Sequence, residues 1–200
     1  FSSAVYAETT TRFMGPTLLA LDGAEHKSWR ALVANAFRPS QLAKWEETLI
    51  APAMTRLCEE VAGHGRAELV EQVISRFPVH VICGMCGIPS EDTPKFLQWA
   101  KDIHRGMIDP AIGMAASEAM RAYLEPLVEE RRLRPDSDLI SDIVHAEVDG
   151  QRLDDEQIAV TVILNMLPNL RLDPDHPVPV VQGASFRGPP VLRVLYDPIV

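Results

Sequence analysis

The sequence is poor in the features that several protein classes need. Its 200 residues hold three cysteines, too few for the disulfide framework of a secreted scaffold, so we predict a reducing, cytoplasmic setting. It has no run of 18 or more apolar residues, which predicts no membrane span. Basic charge is also scarce. The net charge of −9 argues against nucleic acid as a main partner, and no basic run suits an anionic membrane surface.

The beginning of the chain lacks two further features. Phe1 is not followed by the charged and apolar regions of a leader, so we expect no signal peptide. No initiator Met is present either, and we therefore expect these residues to lie inside a longer chain. A length of 200 residues, with 46% apolar and 24% charged residues, fits a single globular domain.

Apolar residues at helical spacing are present through most of the chain, and this pattern ends after residue 165. We predict a loop with a short helix near its start over 1–21, and helices over 22–37, 40–63, 67–87, 90–105, 113–134, 138–147 and 155–167. Pro52 and Pro78 are expected to kink or break their helices, and Asp149-Gly150 to form a turn. Seven of the sixteen prolines lie from Pro168 onward, where alternating runs such as "VLRVLY" predict edge strands. The fold class is therefore mainly α over 1–165, with a strand region over 166–200.

The helix over 22–37 carries two potential cations on or near its apolar face. Asp22 and Glu25 form a capping-box-like pair at its start. With His26 set at 0°, the apolar residues extend from about 240° to about 20°, so His26 lies inside this arc and Arg30 lies at its edge, near 40°. From this helix alone, a hydrogen-bonded core histidine and a snorkelling surface arginine are the favoured explanation.

Longer stretches around this helix resemble a known family. The residues "GPTLLALDGAEHKSWRALVANAFRPSQLAKWE" are similar to the C-helix region of bacterial cytochrome P450 enzymes, the haem-thiolate monooxygenases. "FPVHVICGMCGIPSEDTPKFLQWAKDI" resembles their E-to-F region, and "DLISDIVHAEVDGQRLDDEQIAVTVILN" resembles their H helix and early I helix. The segment after Leu167 resembles their last strands. The resemblance implies the helical part of the cytochrome P450 fold with a short C-terminal β-hairpin region.

The resemblance also implies a function for the two cations. In this family the corresponding His and Arg contact the haem propionates, which assigns cofactor binding to His26 and Arg30. The planar fork of an arginine suits a carboxylate, and the two side chains stand one helical turn apart. The family inserts one oxygen atom into small apolar substrates and takes electrons from ferredoxin-type donors, whose docking surface would include Lys27 and Arg38.

The sequence departs from the family at the iron ligand. The family holds iron through a cysteine thiolate in a loop with a Phe, two glycines and usually a His, and no such loop is present. We therefore expect a segment-deleted chain that lacks the first strands and the region from the I helix to this loop, with the break near 164–166. Two Glu-x-x-Arg matches, Glu118–Arg121 and Glu129–Arg132, precede the I-like segment. They are predicted to be i, i+3 surface ion pairs worth about 0.2–0.5 kcal/mol each.

The pair Cys83-x-x-Cys86 has two possible interpretations. It could form a redox dithiol or, with His80, part of a zinc site. No fourth ligand is evident, so buried, inert thiols are the favoured interpretation. Neither a catalytic residue nor a metal ligand is assigned.

Two hypotheses follow from the sequence. The first is a cytochrome P450-family oxidoreductase in which the haem-edge contacts are retained but the iron ligand is absent, which predicts no monooxygenase turnover. The second is a non-enzymatic helical module that binds a small apolar ligand or a protein partner through an exposed stripe of Ile158, Val162 and Leu167 on the I-like helix.

Overall fold

The computed structural model describes residues 11–15, 17–62, 64, 66–106, 108–165 and 193–195, and within them the chain is mainly helical. The α-helices are α1 (Thr11–Met14), α2 (Gly23–Ala34), α3 (Pro39–Trp45), α4 (Ala51–Ala62), α5 (Phe77–Met85), α6 (Thr93–Arg105), α7 (Pro110–Leu133), α8 (Leu139–Val144) and α9 (Asp155–Asn165). Single 3-10 turns lie at Leu18–Ala20, Asn35–Phe37 and Ser90–Asp92, and π-helical turns at Glu46–Ile50 and Val70–Ile74. The strands are β1 (Arg66–Glu68) and β2 (Arg193–Leu195).

Prolines mark several of the helix boundaries. Pro39, Pro78 and Pro110 stand at the first turns of α3, α5 and α7, where a missing N–H costs no intrahelical hydrogen bond. Pro78 therefore begins a helix at the predicted break, and the residues before it form β1 and a π-helical turn rather than another α-helix. The helix predicted over 40–63 is divided into α3 and α4 by a π-helical turn that ends two residues before Pro52.

Acidic side chains cap several of the helices. Asp138 accepts a hydrogen bond from the Ser141 amide at 2.8 Å at the start of α8. Asp154 and Gln157 form a reciprocal capping box before α9, at 2.8 and 3.0 Å. Asp22 occupies the N-cap position of α2, but its side chain makes no capping hydrogen bond, so the box predicted there is not formed.

Most of the buried apolar residues belong to one cluster. It includes Trp29 of α2, Phe96 of α6, Leu124 of α7, Ile143 of α8 and Ile158 of α9. The long helix α7 packs against α6, α8, α9 and α1 and so lies at the centre of this arrangement. A smaller cluster beneath the α4–β1 connection contains Leu57, Val61, Ala67 and Val73.

The alternating run near the C-terminus forms a strand, as predicted. β2 pairs antiparallel with β1, with Arg66 opposite Leu195 and Glu68 opposite Arg193. Its partner is therefore a strand about 125 residues earlier and not a neighbour in a hairpin. The rest of the predicted C-terminal hairpin lies outside the described residues. Between α8 and α9, Asp149 (φ 52°) and Gly150 (φ 77°) form the predicted turn, closed by a bridge between Val148 and Gln151.

Candidate functional site

Helix α2 presents different faces to the core and to the surface. Its buried residues are Trp29, Leu32 and Val33, which centre the buried arc near 290° on the scale that sets His26 at 0°. His26 therefore lies at the rim of this arc and is half-buried, while Arg30 lies beyond the rim and is exposed. His26, predicted inside the apolar arc, is therefore at the rim of the buried one, and Arg30, predicted at the edge, is outside it, because the buried arc is narrower than the apolar sequence pattern implied.

His26 and Arg30 still form a pair at one edge of the helix. They stand four residues apart in a continuous α-helix, which places them about 6 Å apart along the axis on neighbouring rows. Within the described residues, neither side chain makes a hydrogen bond or an ion pair. Both are therefore available to an anion that approaches this edge.

Two other side chains of α2, Trp29 and Ser28, connect the helix to α9 and to the turn before it. The Trp29 Nε1–H donates to Thr161 Oγ1 at 3.3 Å, and the Thr161 hydroxyl donates to the Gln157 carbonyl at 2.7 Å. Ser28 Oγ donates to the Gln151 side-chain oxygen in the turn before α9. A cleft of about 670 Å³ lies beside these contacts, lined in part by Trp29, Leu32, Gln151, Leu153 and Gln157. The cation pair lies outside this lining, so the cleft and the pair are separate features.

Helix α9 is buried from Ile158 to Ile163, after an exposed acidic first turn. Ile158, Ala159, Val160, Val162 and Ile163 each have 0% exposure, and Thr161 has 3%. The stripe of Ile158 and Val162 that we expected to be exposed is therefore covered, and Leu167 lies outside the described residues. This removes the observation that motivated a non-enzymatic binding module.

The two Glu-x-x-Arg matches do not form ion pairs within α7. Arg121 pairs with Glu156 at 3.2 Å, and Arg132 pairs with Asp155. Both arginines thus connect α7 to the first turn of α9, and the predicted i, i+3 pairs with Glu118 and Glu129 are wrong. Each arginine side chain is long enough to reach the neighbouring helix. There it binds an acidic residue in the first turn of α9, a position where the helix dipole also favours negative charge.

The comparisons with known proteins agree on one family. No protein-family model matches the sequence. The chain is 33% identical over 156 residues to a methyl-branched lipid omega-hydroxylase of Mycobacterium tuberculosis and 32% identical over 153 residues to cytochrome P450(BM-1) of Priestia megaterium. Each match covers 74% of this chain, but only 36% and 37% of the relatives.

The solved structures lead to the same family. CYP109E1 from Bacillus megaterium in complex with testosterone matches with a TM-score of 0.71 and 32% identity, over 77% of this chain and 42% of that one. Cytochrome P450 TbtJ1 matches with a TM-score of 0.72 and 29% identity, over 80% and 43%. The chain is a partial cytochrome P450. It spans just over a third of the length of the curated relatives that it matches.

Haem is the cofactor of the P450 family, and the residues of this chain fit one part of it. Haem carries two carboxylates on an apolar ring, so its edge needs cations beside apolar surface. The pair at the edge of α2, next to buried apolar residues of the same helix, meets that need. The sequence pattern identified the pair, and the structure adds that neither side chain has a hydrogen-bond or ion-pair partner in the part of the chain that it describes.

The residues do not fit the iron. A haem thiolate needs a cysteine that loses its proton readily, and the two buried cysteines do not meet this need. Burial raises the pKa of Cys83 to about 12 and that of Cys86 well above the ordinary thiol value. Cys58 is exposed on α4. The interpretation of Cys83 and Cys86 as buried thiols is confirmed, and no cluster of three or more metal-ligating side chains is present within the described residues.

Sequence reasoning missed the contacts that position α2 and the N-terminal segment. These are the Trp29–Thr161 hydrogen bond and a contact of Arg121 with the Met14 carbonyl at 3.0 Å. Their partners lie 132 and 107 residues apart, so no local pattern marks them. None of the described helices is both long and apolar enough to cross a lipid bilayer.

Proposed function

We propose that these residues form the haem-edge part of a bacterial cytochrome P450 monooxygenase, with His26 and Arg30 as the contacts of the haem carboxylates. The observation that carries this proposal is a pair of uncommitted cations, one helical turn apart, beside an apolar helix face. The family likeness of about three quarters of the chain supports it.

The two side chains would divide the binding of the carboxylates. The Arg30 guanidinium offers a fork of N–H donors that matches one carboxylate in a bidentate manner. The His26 imidazole, half-buried at the rim, offers one ring N–H when neutral and two when protonated. The hydrogen bonds from Trp29 and Ser28, which lie about 60° and about 160° around the helix from His26, limit rotation of α2 away from the ligand.

The same residues do not provide an axial ligand to iron. When held by a thiolate, haem supplies the activation of O₂ in this family. The family's cysteine loop is absent from the sequence, Cys83 and Cys86 are buried, and Cys58 lies within helix α4. We therefore propose that these 200 residues bind the ring through its carboxylates and do not form a thiolate-ligated haem. Monooxygenase turnover by this chain alone is then not expected.

The substrate, the partner and the setting are inferred from the relatives. Two of them are named as a steroid C26-monooxygenase and a methyl-branched lipid omega-hydroxylase, which supports a small apolar substrate for the whole enzyme. A ferredoxin-type electron donor and a cytoplasmic setting belong to the same proposal. Lys27 and Arg38 are exposed, as docking of an acidic donor would require.

The test compares two porphyrins that differ only at the carboxylates. Haemin and its dimethyl ester are titrated into the full chain and into His26→Gln, Arg30→Gln and Lys27→Gln. We expect Arg30→Gln to weaken haemin binding about tenfold, equal to about 1.4 kcal/mol, because it removes a charge-assisted contact. Lys27→Gln removes an exposed charge about 60° around α2 from Arg30; it serves as the control and should bind as the parent chain does.

The ester separates carboxylate binding from apolar adsorption. It should bind the parent and Arg30→Gln equally, since it lacks the negative charge. If haemin and the ester respond alike to Arg30→Gln, or if Lys27→Gln has the same effect, the carboxylate assignment is refuted. Reduction of the haemin complex under carbon monoxide should give no red-shifted Soret band of the thiolate type, and the appearance of that band would show that one of the three cysteines binds iron.

A further inference from the structure

Arg121 joins three elements that are far apart in the sequence. It lies on α7, its side chain is 23% exposed, and its Nη1–H donates to Glu156 Oε1 of α9 at 3.2 Å. Its Nη2–H donates to the backbone carbonyl of Met14, the last residue of α1, at 3.0 Å. One guanidinium therefore binds the end of one helix and the beginning of another at the same time.

The contact with Met14 follows from the way α1 ends. The last carbonyls of a helix have no intrahelical partner and need a donor from elsewhere. Gly15 adopts φ +82°, and its amide donates to the Thr11 carbonyl at 3.2 Å, which closes the helix in the left-handed manner that glycine allows. The Met14 carbonyl is left to Arg121, and a charged donor makes this a stronger hydrogen bond than a neutral donor would.

The segment held in this way covers α9. A Cβ at Gly15 would lie 3.1 Å from Glu156 Oε1, 3.2 Å from Arg121 Nη2 and 3.8 Å from Val160 Cγ2. The backbone thus passes directly over the ion pair and over Val160, whose exposure is 0%. Met14 is itself fully buried, so the segment is a packed cover and not a surface loop.

We propose that Arg121 is a latch that holds residues 11–15 closed over α9, and that loss of this latch lets the segment lift and exposes apolar surface at Val160. The contact with the Met14 carbonyl is the main part of the latch. The Glu156 side chain is 56% exposed, and ion pairs in such a setting contribute little. The proposal concerns the motion of the segment and stands independently of haem binding.

The test is hydrogen–deuterium exchange on the full chain, read in peptides that cover residues 11–21. Arg121→Gln should increase exchange in these peptides about tenfold, and fluorescence of an apolar dye should rise with it as Val160 becomes accessible. Arg121→Lys keeps the charge but cannot serve both acceptors through a planar fork, so an intermediate increase is expected. Arg132→Gln is the matched control, because it removes another α7–α9 ion pair and leaves the contact of Arg121 with the Met14 carbonyl in place.

Several outcomes would overturn the proposal. One is unchanged exchange in residues 11–21 of Arg121→Gln. Another is an equal increase in Arg132→Gln, which would show general loosening of α9. Glu156→Gln provides a milder second variant in case Arg121→Gln fails to fold. It leaves the Met14 contact in place, so we expect hydrogen–deuterium exchange in residues 11–21 to increase two- to threefold at most. A larger increase than in Arg121→Lys would mean that the ion pair with Glu156, and not the contact with the Met14 carbonyl, holds the segment, and would refute the proposal as stated.

Discussion

Replacement of Asp138 tests the most deeply buried ion pair among the described residues. Arg131 Nε–H donates to Asp138 Oδ2 at 2.5 Å, and the two side chains are 11% and 5% exposed. The other carboxylate oxygen accepts the Ser141 amide and so caps α8. The hydrogen bond to Asp138 is the largest cause of the raised pKa of Arg131, so the guanidinium stays charged and needs a counter-charge.

The two partners of this ion pair differ in the number of other charged groups beside them. Asn at 138 keeps an acceptor for the cap but removes the charge, and loss of one partner of a buried pair costs about 3–5 kcal/mol. Asp136 and Glu130 still face Arg131 at 3.8 and 3.7 Å, so we expect Asp138→Asn to cost about 3 kcal/mol. Asp138→Ala also loses the cap, for about 1 kcal/mol more. Arg131→Met should cost most, about 5 kcal/mol, because Asp138 has no other salt bridge within the described residues.

Urea unfolding followed by far-ultraviolet circular dichroism measures these differences. The control is Arg134→Gln, which removes an i, i+4 pair whose arginine is 80% exposed and should change the free energy of unfolding by less than about 0.5 kcal/mol. If Asp138→Asn costs no more than the control, the pair is not the buried charge that its exposure indicates. If Arg131→Met lowers the free energy of unfolding less than Asp138→Asn does, the argument that Asp138 has fewer other charged neighbours than Arg131 is refuted.

Two further predictions concern titratable groups. A thiol reagent should label one cysteine, Cys58, in the native chain and all three after unfolding, because Cys83 and Cys86 are buried; rapid labelling of two or three thiols in the native chain would contradict this burial. Burial lowers the pKa of His80 and His104 in the folded chain. As the pH falls through about 6.5, the unfolded chain therefore binds more protons than the folded chain does. The free energy of unfolding should decrease below that pH until the folded-state pKa is reached. The urea midpoint should decrease as the pH is lowered from about 7.5 to about 5.5. A variant with both His80→Gln and His104→Gln should show a smaller decrease, and an increase of the midpoint on acidification would refute the prediction.

The described helices were largely predictable because their signals are local. Apolar spacing, the cap at Asp154 and the prolines at 52 and 78 act within a few residues, so they operate wherever the segment lies in the fold. The turn at Asp149-Gly150 is of the same kind, since positive φ is a property of the two residues themselves. The i, i+4 relation of His26 and Arg30 was also predicted at this level, because it requires only a helix.

The sequence by itself determined which segments are mainly helical, and which two cations share an edge of α2. Only the tertiary structure decided that Arg121 and Arg132 bind the first turn of α9, that Ile158 and Val162 are covered, and that β2 pairs with a strand about 125 residues earlier. The physical reason is that these groups can reach partners on more than one element. An arginine side chain or a strand edge has several possible partners of similar local quality, and the partner it takes depends on which elements the burial of apolar surface has already brought beside it.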